Sequence, residues 1–141
     1  MEGRKCYEVC RKFGKPVIVM EPVKGGNLAN LPEEAMEVFR ALGGGSPASY
    51  AIRFAAGFER ILMVLSGMSS MEPMEDTLSF MKDFRPLDER EREAVARVQE
   101  IFRSRNLIPC TACRYCVDEA CPQHLPIREL LVQVAEEFEK N

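Results

Sequence analysis

Four cysteines lie within twelve residues toward the carboxyl end of the chain, Cys110-x2-Cys113-x2-Cys116-x4-Cys121, and Pro122 follows at once. A cubane cluster needs a thiolate at each of four irons. Two-residue intervals let one short loop wrap a cluster face, with backbone N–H groups turned toward the sulfurs to offset their negative charge. The usual run is Cys-x2-Cys-x2-Cys-x3-Cys-Pro. Here the last interval is one residue longer, holding Val117, Asp118, Glu119 and Ala120. Pro122 turns the chain away, because it has no N–H to give to a hydrogen-bond ladder. The spacing therefore predicts a 4Fe–4S cluster on Cys110, Cys113, Cys116 and Cys121. Zinc and unligated thiols are the competing readings. Structural zinc joins two Cys/His pairs across a longer spacer than this run contains. A disulfide framework belongs to secreted chains, and no export signal is read here. Where two clusters share such runs, the fourth cysteine serves the other cluster. With a single run, either Cys121 folds back onto the same cluster or a cysteine elsewhere helps.

Other residues invite chemistry more weakly. Cys6 and Cys10 share a helix face at i and i+4 and could approach a metal, although cysteines on an apolar face ordinarily behave as small core hydrophobes. His124, the one histidine, reads as a solvent-facing loop residue before it reads as a ligand or proton carrier. Tyr50 and Tyr115 lack a paired lysine or histidine that would make either a proton donor. The eight methionines, Met63, Met68, Met71 and Met74 among them, read as gap-fillers of a core. The charges of Asp88–Arg92 read as a solvated helix face.

The elements that must position these residues are legible from periodicity. Composition is that of an ordinary soluble protein, 46% apolar and 29% charged. A net charge of −3 with scattered Lys and Arg gives no footprint for nucleic acid. The longest apolar stretch, Ile61–Leu65, is far too short to span a membrane, and a reducing cytoplasm is the expected location. Cys6, Val9, Cys10 and Phe13 mark one face of a first helix that Gly14 stops. Pro16–Met20 and Ile61–Leu65 read as strands buried on both sides, as in a parallel sheet. Each leads into a loop, Glu21–Leu28 and Ser66–Ser70, and then toward a helix. Helices are predicted from Pro32 to Leu42, from Ser46-Pro47 to Ala56 and from Met71 to Lys82. This is the grammar of a parallel α/β fold. Beyond a boundary near Arg85, Asp88–Arg105 reads as an exposed linking helix with Val95, Val98, Ile101 and Phe102 as its apolar stripe. A last helix opened by Pro126 turns Ile127, Leu130, Leu131, Val134 and Phe138 toward a core.

Four segments stand out in order: Val19-Met20-Glu21-Pro22-Val23-Lys24-Gly25-Gly26-Asn27-Leu28, Ser46-Pro47-Ala48 with Ala51-Ile52-Arg53-Phe54, Val64-Leu65-Ser66-Gly67-Met68-Ser69-Ser70, and Ile108-Pro109-Cys110-Thr111-Ala112-Cys113-Arg114-Tyr115-Cys116. Together they resemble the carboxyl-terminal part of the ferredoxin-type aldo/keto reductases, NAD(P)-dependent (β/α)8-barrel oxidoreductases with an iron–sulfur appendage. The resemblance implies an α/β fold: a partial (β/α)8 barrel, its last two βα units, over residues 1–85. An α-helical, ferredoxin-like iron–sulfur segment would follow over residues 86–141. It also implies that Pro22, Val23, Lys24, Gly25, Gly26 and Leu28 lie along the nicotinamide and pyrophosphate of the dinucleotide. Ser66, Gly67, Met68, Ser69 and Ser70 would present N–H groups to its phosphate, in keeping with the placement of barrel sites at strand carboxyl ends. Ser69 stands where the family often has a basic residue for a 2′-phosphate, and Thr77 where it has an amide for the adenine. Both departures point to NAD or to weak binding. His124 replaces a usual glycine.

Nothing in the chain corresponds to the family's Asp, Tyr, Lys and His tetrad, so no catalytic residue is assigned. Two strands cannot close a barrel. The expected partners are therefore a separate amino-terminal barrel half, a second copy of the chain or a redox partner, and the chain alone is expected to be inactive. An electron-transfer or binding module, or a metal that merely staples the last helix, are the other functional readings.

Overall fold

A computed structural model of the chain describes residues 2–104 and 121–139. In chain order the elements are α1 (Glu2–Lys12), β1 (Val17–Met20), a 3-10 turn at Lys24–Gly26, α2 (Glu33–Arg40), α3 (Pro47–Ala56), β2 (Ile61–Leu65), α4 (Met71–Met81), α5 (Glu89–Ser104) and α6 (Ile127–Glu139). The fold is mixed α/β and mostly helical, with one two-stranded parallel sheet. No helix among the described residues is long and apolar enough to cross a membrane.

The helix starts follow local chemistry. Ser46 caps α3: its Oγ accepts the Ser49 N–H at 3.0 Å, and Pro47 supplies a preset first turn. The same hydroxyl donates to the Asp76 carboxylate on α4, which ties two consecutive helices together. α5 opens on a reciprocal capping box. The Glu91 N–H donates to Asp88 Oδ1 at 2.8 Å, and the Asp88 N–H donates to Glu91 Oε2 at 2.9 Å.

The core gathers Ala35 and Phe39 of α2, Tyr50 of α3, Leu87, and Ala94 and Val98 of α5. Phe39 and Tyr50 stack with ring centroids 4.1 Å apart. The helix after Asp88 is thus not an exposed linker. Its apolar stripe is used, with Val98 buried and Val95, Ile101 and Phe102 packed at the margin of the core. Burial of that stripe against α2 carries the packing across residue 85. In α6, Ile127, Leu131 and Val134 are half-buried while Leu130 is exposed; the side chain of Phe138 lies outside the described residues.

β1 and β2 pair in parallel, Ile18 with Met63, Val19 with Val64 and Met20 with Leu65. A register shift after Val17, which pairs with Ile61, leaves Leu62 as an extra residue on β2. α3 packs on β2 and on α4. Here the expectation of strands buried on both sides fails. Ile18 is 52% exposed, Met20 72%, and their neighbours Met63 and Leu65 are exposed too. The cause is simple: Val17, Val19, Ile61 and Val64 are half-buried, and nothing among the described residues covers the alternate side chains. Parallel sheets are ordinarily covered on both faces; among the described residues one face of this sheet stands open. The first helix departs as well. Its expected apolar face, with Val9 and Phe13, is exposed, and α1 is held instead through Tyr7, Arg11 and the following Gly14.

Candidate functional site

Both sequence-predicted loops leave the carboxyl ends of adjacent strands. Met20 and Leu65 are register partners, so Glu21 and Ser66 begin their loops side by side at the same end of the sheet. The first loop is a tight coil. Glu21, Lys24, Gly25 and Gly26 all take positive φ, between 48° and 100°. This is ordinary for glycine and costly for the other two, which persist only where surrounding contacts hold them. The contacts are visible. The Glu21 carboxylate accepts the Gly25 N–H at 2.9 Å, and the Glu21 carbonyl accepts the Lys24 N–H at 3.0 Å. The Val23 carbonyl accepts from both Gly26 and Leu28 at 3.1 Å. Pro22 is buried beneath them, while Lys24 is exposed.

These bonds limit what the loop can offer a ligand. The amides of Lys24, Gly25, Gly26 and Leu28 are spent on the loop itself. A ligand here would meet the Lys24 ammonium and the flat backbone of the two glycines rather than a ring of free N–H donors. The glycines are explained by the coil they build.

The second loop is different. Ser66, Gly67, Met68, Ser69 and Ser70 run without regular structure into α4, and all but Ser66 are exposed. Among the described residues, no amide from Gly67 to Ser70 donates to another protein group. Ser70 occupies the cap position of α4 in extended conformation, with its hydroxyl making no cap bond. These donors are available to an anion at a helix N-terminus. Two features of α4 weaken the positive end: Glu72 places a carboxylate in the first turn, and Pro73 removes an N–H.

Of the predicted cluster ligands, Cys110, Cys113 and Cys116 lie outside the described residues, as does Tyr115. Cys121 is described. It carries a free, half-buried thiol, and its carbonyl accepts the His124 N–H at 3.0 Å in a turn that precedes α6. His124 closes that turn in the left-handed region, φ 52°, and is exposed. An all-thiolate donor set suits iron–sulfur chemistry, and a half-buried thiol at the end of the run suits a ligand. Cys6 is exposed and Cys10 half-buried on α1. Among the described residues, no three Cys, His, Asp or Glu side chains converge as a metal site.

No family model matches the chain, and no curated protein or solved structure matches it. The site therefore stands on its own residues. Tyr50 is accounted for: it is buried, its hydroxyl donates to the Gly44 carbonyl, and burial pushes its pKa up, with Glu91 adding to the effect. It is a core residue. What sequence reasoning missed is the Arg53–Glu91 pair at 2.7 Å, which joins α3 to α5. No local signal marks it, since the partners are 38 residues apart.

Proposed function

We propose that this chain is the carboxyl-terminal part of an aldo/keto reductase-like, NAD(P)-dependent oxidoreductase with an iron–sulfur appendage. The observation that carries the reading is the pair of loops at Glu21–Leu28 and Ser66–Ser70, which spring side by side from the carboxyl ends of two parallel strands. This is the end at which barrel enzymes build their sites, with phosphates near the last two loops. The two βα units would be the last of a (β/α)8 barrel, within residues 1–85. The segment from residue 86 would carry a ferredoxin-like 4Fe–4S site on Cys110, Cys113, Cys116 and Cys121. When bound, a dinucleotide would supply hydride chemistry and the cluster one-electron chemistry. The chain's own part is to cradle the dinucleotide, Pro22 to Leu28 along the nicotinamide side and Ser66 to Ser70 along a phosphate.

The uncovered sheet face favours a partner that brings the remaining strands, a separate barrel half above all. Carbonyl reduction would require that half, because no residue of this chain matches the family's tetrad. We place the protein in the cytoplasm, where thiolates remain available to metal. The second reading is an electron-transfer module, or a metal used only as a staple. It is favoured by the spent amides of the first loop and by Glu72 at the start of α4, both unhelpful to a pyrophosphate.

Anaerobic purification with iron and sulfide quantitation and a visible spectrum tests the common foundation. About four irons per chain, lost in Cys113→Ser, is the expected result; stoichiometric zinc overturns it. Dinucleotide affinity that appears only on adding a complementary barrel half would separate the first reading from the second.

A further inference from the structure

At the opposite end of the two strands lies a cavity that the loops do not use. Gly57, Phe58 and Glu59 line it just before β2 begins, and the Arg60 carbonyl there accepts the Val17 N–H that starts β1. Its volume is about 370 Å³, room for a molecule of one or two rings. We propose that this cavity binds a small aromatic anion, an aryl phosphate or aryl carboxylate.

Part of the lining is aromatic. Phe54 and Phe58 meet edge to face with centroids 5.0 Å apart, and Tyr7 tilts against Phe58 at 5.4 Å. Both phenylalanines remain partly open to solvent, 38% and 44%, so their apolar surface is available. An aryl ring placed there completes an edge-to-face cluster and removes that surface from water. Tyr7 is fixed by its bond to the Glu59 carbonyl at 3.1 Å. Arg53 forms a stiff wall, because Glu91 and the carbonyls of Arg85 and Pro86 hold its guanidinium.

The rest of the lining carries cations. Arg11 and Arg92 both line the cavity. Arg92 is exposed and has no carboxylate partner among the described residues. Among the described residues Arg11 pairs with Glu59 alone, at 4.0 Å, the outer limit of an ion pair. The guanidinium of Arg53 is already neutralised by Glu91, so two cations face one loosely paired carboxylate. In a chain of net charge −3, this local excess of positive charge beside aromatic rings selects an anionic head on a planar body. The inference is independent of the reductase reading, since it uses neither loop nor cysteine.

The test is titration of the full chain with phenyl phosphate, followed by amide chemical shifts. Saturable shifts confined to residues around Tyr7, Phe58 and Arg92 are expected. Arg92→Ala and Phe58→Ala should each weaken binding about tenfold, and Arg92→Lys should recover part of the loss. Both residues are solvent-exposed, and an unchanged circular dichroism spectrum verifies folding. Inorganic phosphate should bind at least about tenfold more weakly, because it leaves the rings in water. Equal affinity for inorganic phosphate, shifts spread over the open sheet face, or no saturation at all would each overturn the proposal. Tighter capture of a short peptide carrying adjacent Asp and Phe would overturn it in favour of a protein partner.

Discussion

Arg53 and Glu91 form a two-pronged ion pair, Nη1 to Oε1 at 2.7 Å and Nη2 to Oε2 at 2.8 Å, with side chains only 15% and 18% exposed. One carboxylate does two things, closing the capping box of α5 and clamping that helix to α3. Arg53→Ala strands Glu91 in a poorly solvated place. The expected cost is about 2–4 kcal/mol, somewhat below that of a fully buried pair broken on one side. Arg53→Lys should recover little, because an ammonium cannot satisfy both oxygens and two carbonyls. Urea midpoints for Arg53→Ala, Glu91→Gln and the double variant check this; strictly additive losses would show that the pair is not coupled.

Tyr50 predicts an alkaline weakness. Burial raises its pKa above the ordinary value of 10.0, so the folded state holds the phenolic proton more tightly than the unfolded chain. Between those two pKa values the native state binds more protons, and stability falls as pH rises. The contribution is fully present below pH 10 and is lost above it. Tyr50→Phe gives up the bond to the Gly44 carbonyl, about 1 kcal/mol at neutral pH, but should show a flatter decline above pH 10. Denaturation of both proteins at pH 8 and pH 11 measures the difference, and parallel declines would refute the assignment.

The sequence revealed those parts of the fold that depend on neighbours in the chain. Ser46-Pro47 announced α3, and the two apolar runs announced β1 and β2, because caps and periodicity act over a few residues. The loops could be located for the same reason. What their amides do could not, because a glycine pair looks alike whether its N–H groups face a ligand or, as at Gly25, a carboxylate four residues back. The open face of Ile18 and Met20 was equally hidden. An apolar strand says what should be buried, not whether this chain supplies the cover. Arg53 and Glu91 meet only after α2, α3 and α5 have packed, so no window of sequence contains the pair.

The open face makes a prediction that separates folding from assembly. Met20 is 72% exposed beside Leu65, so Met20→Lys should change the stability of the chain by no more than about 0.5 kcal/mol. If a barrel half or a second copy covers this face, as proposed, the same substitution should abolish that association, because an ammonium would then be buried without a partner. Urea denaturation paired with sedimentation of the mixture reads both quantities. A large loss of stability with association intact would mean that the face is covered by this chain itself.

The longer interval before Cys121 bears on which thiols would hold the proposed cluster. Cys121, a half-buried thiol at the head of the turn that precedes α6, follows the other proposed ligands directly in sequence, whereas Cys6 is exposed on α1, far along the chain. If Cys121 is the fourth ligand, Cys121→Ser should leave a three-thiolate site that loses iron during anaerobic gel filtration. Cys6→Ser with Cys10→Ser should retain iron and sulfide at the level of the unaltered chain. The reverse pattern, iron kept without Cys121 and lost without the α1 pair, would move the fourth ligand to α1 and require that helix to reach the cluster loop.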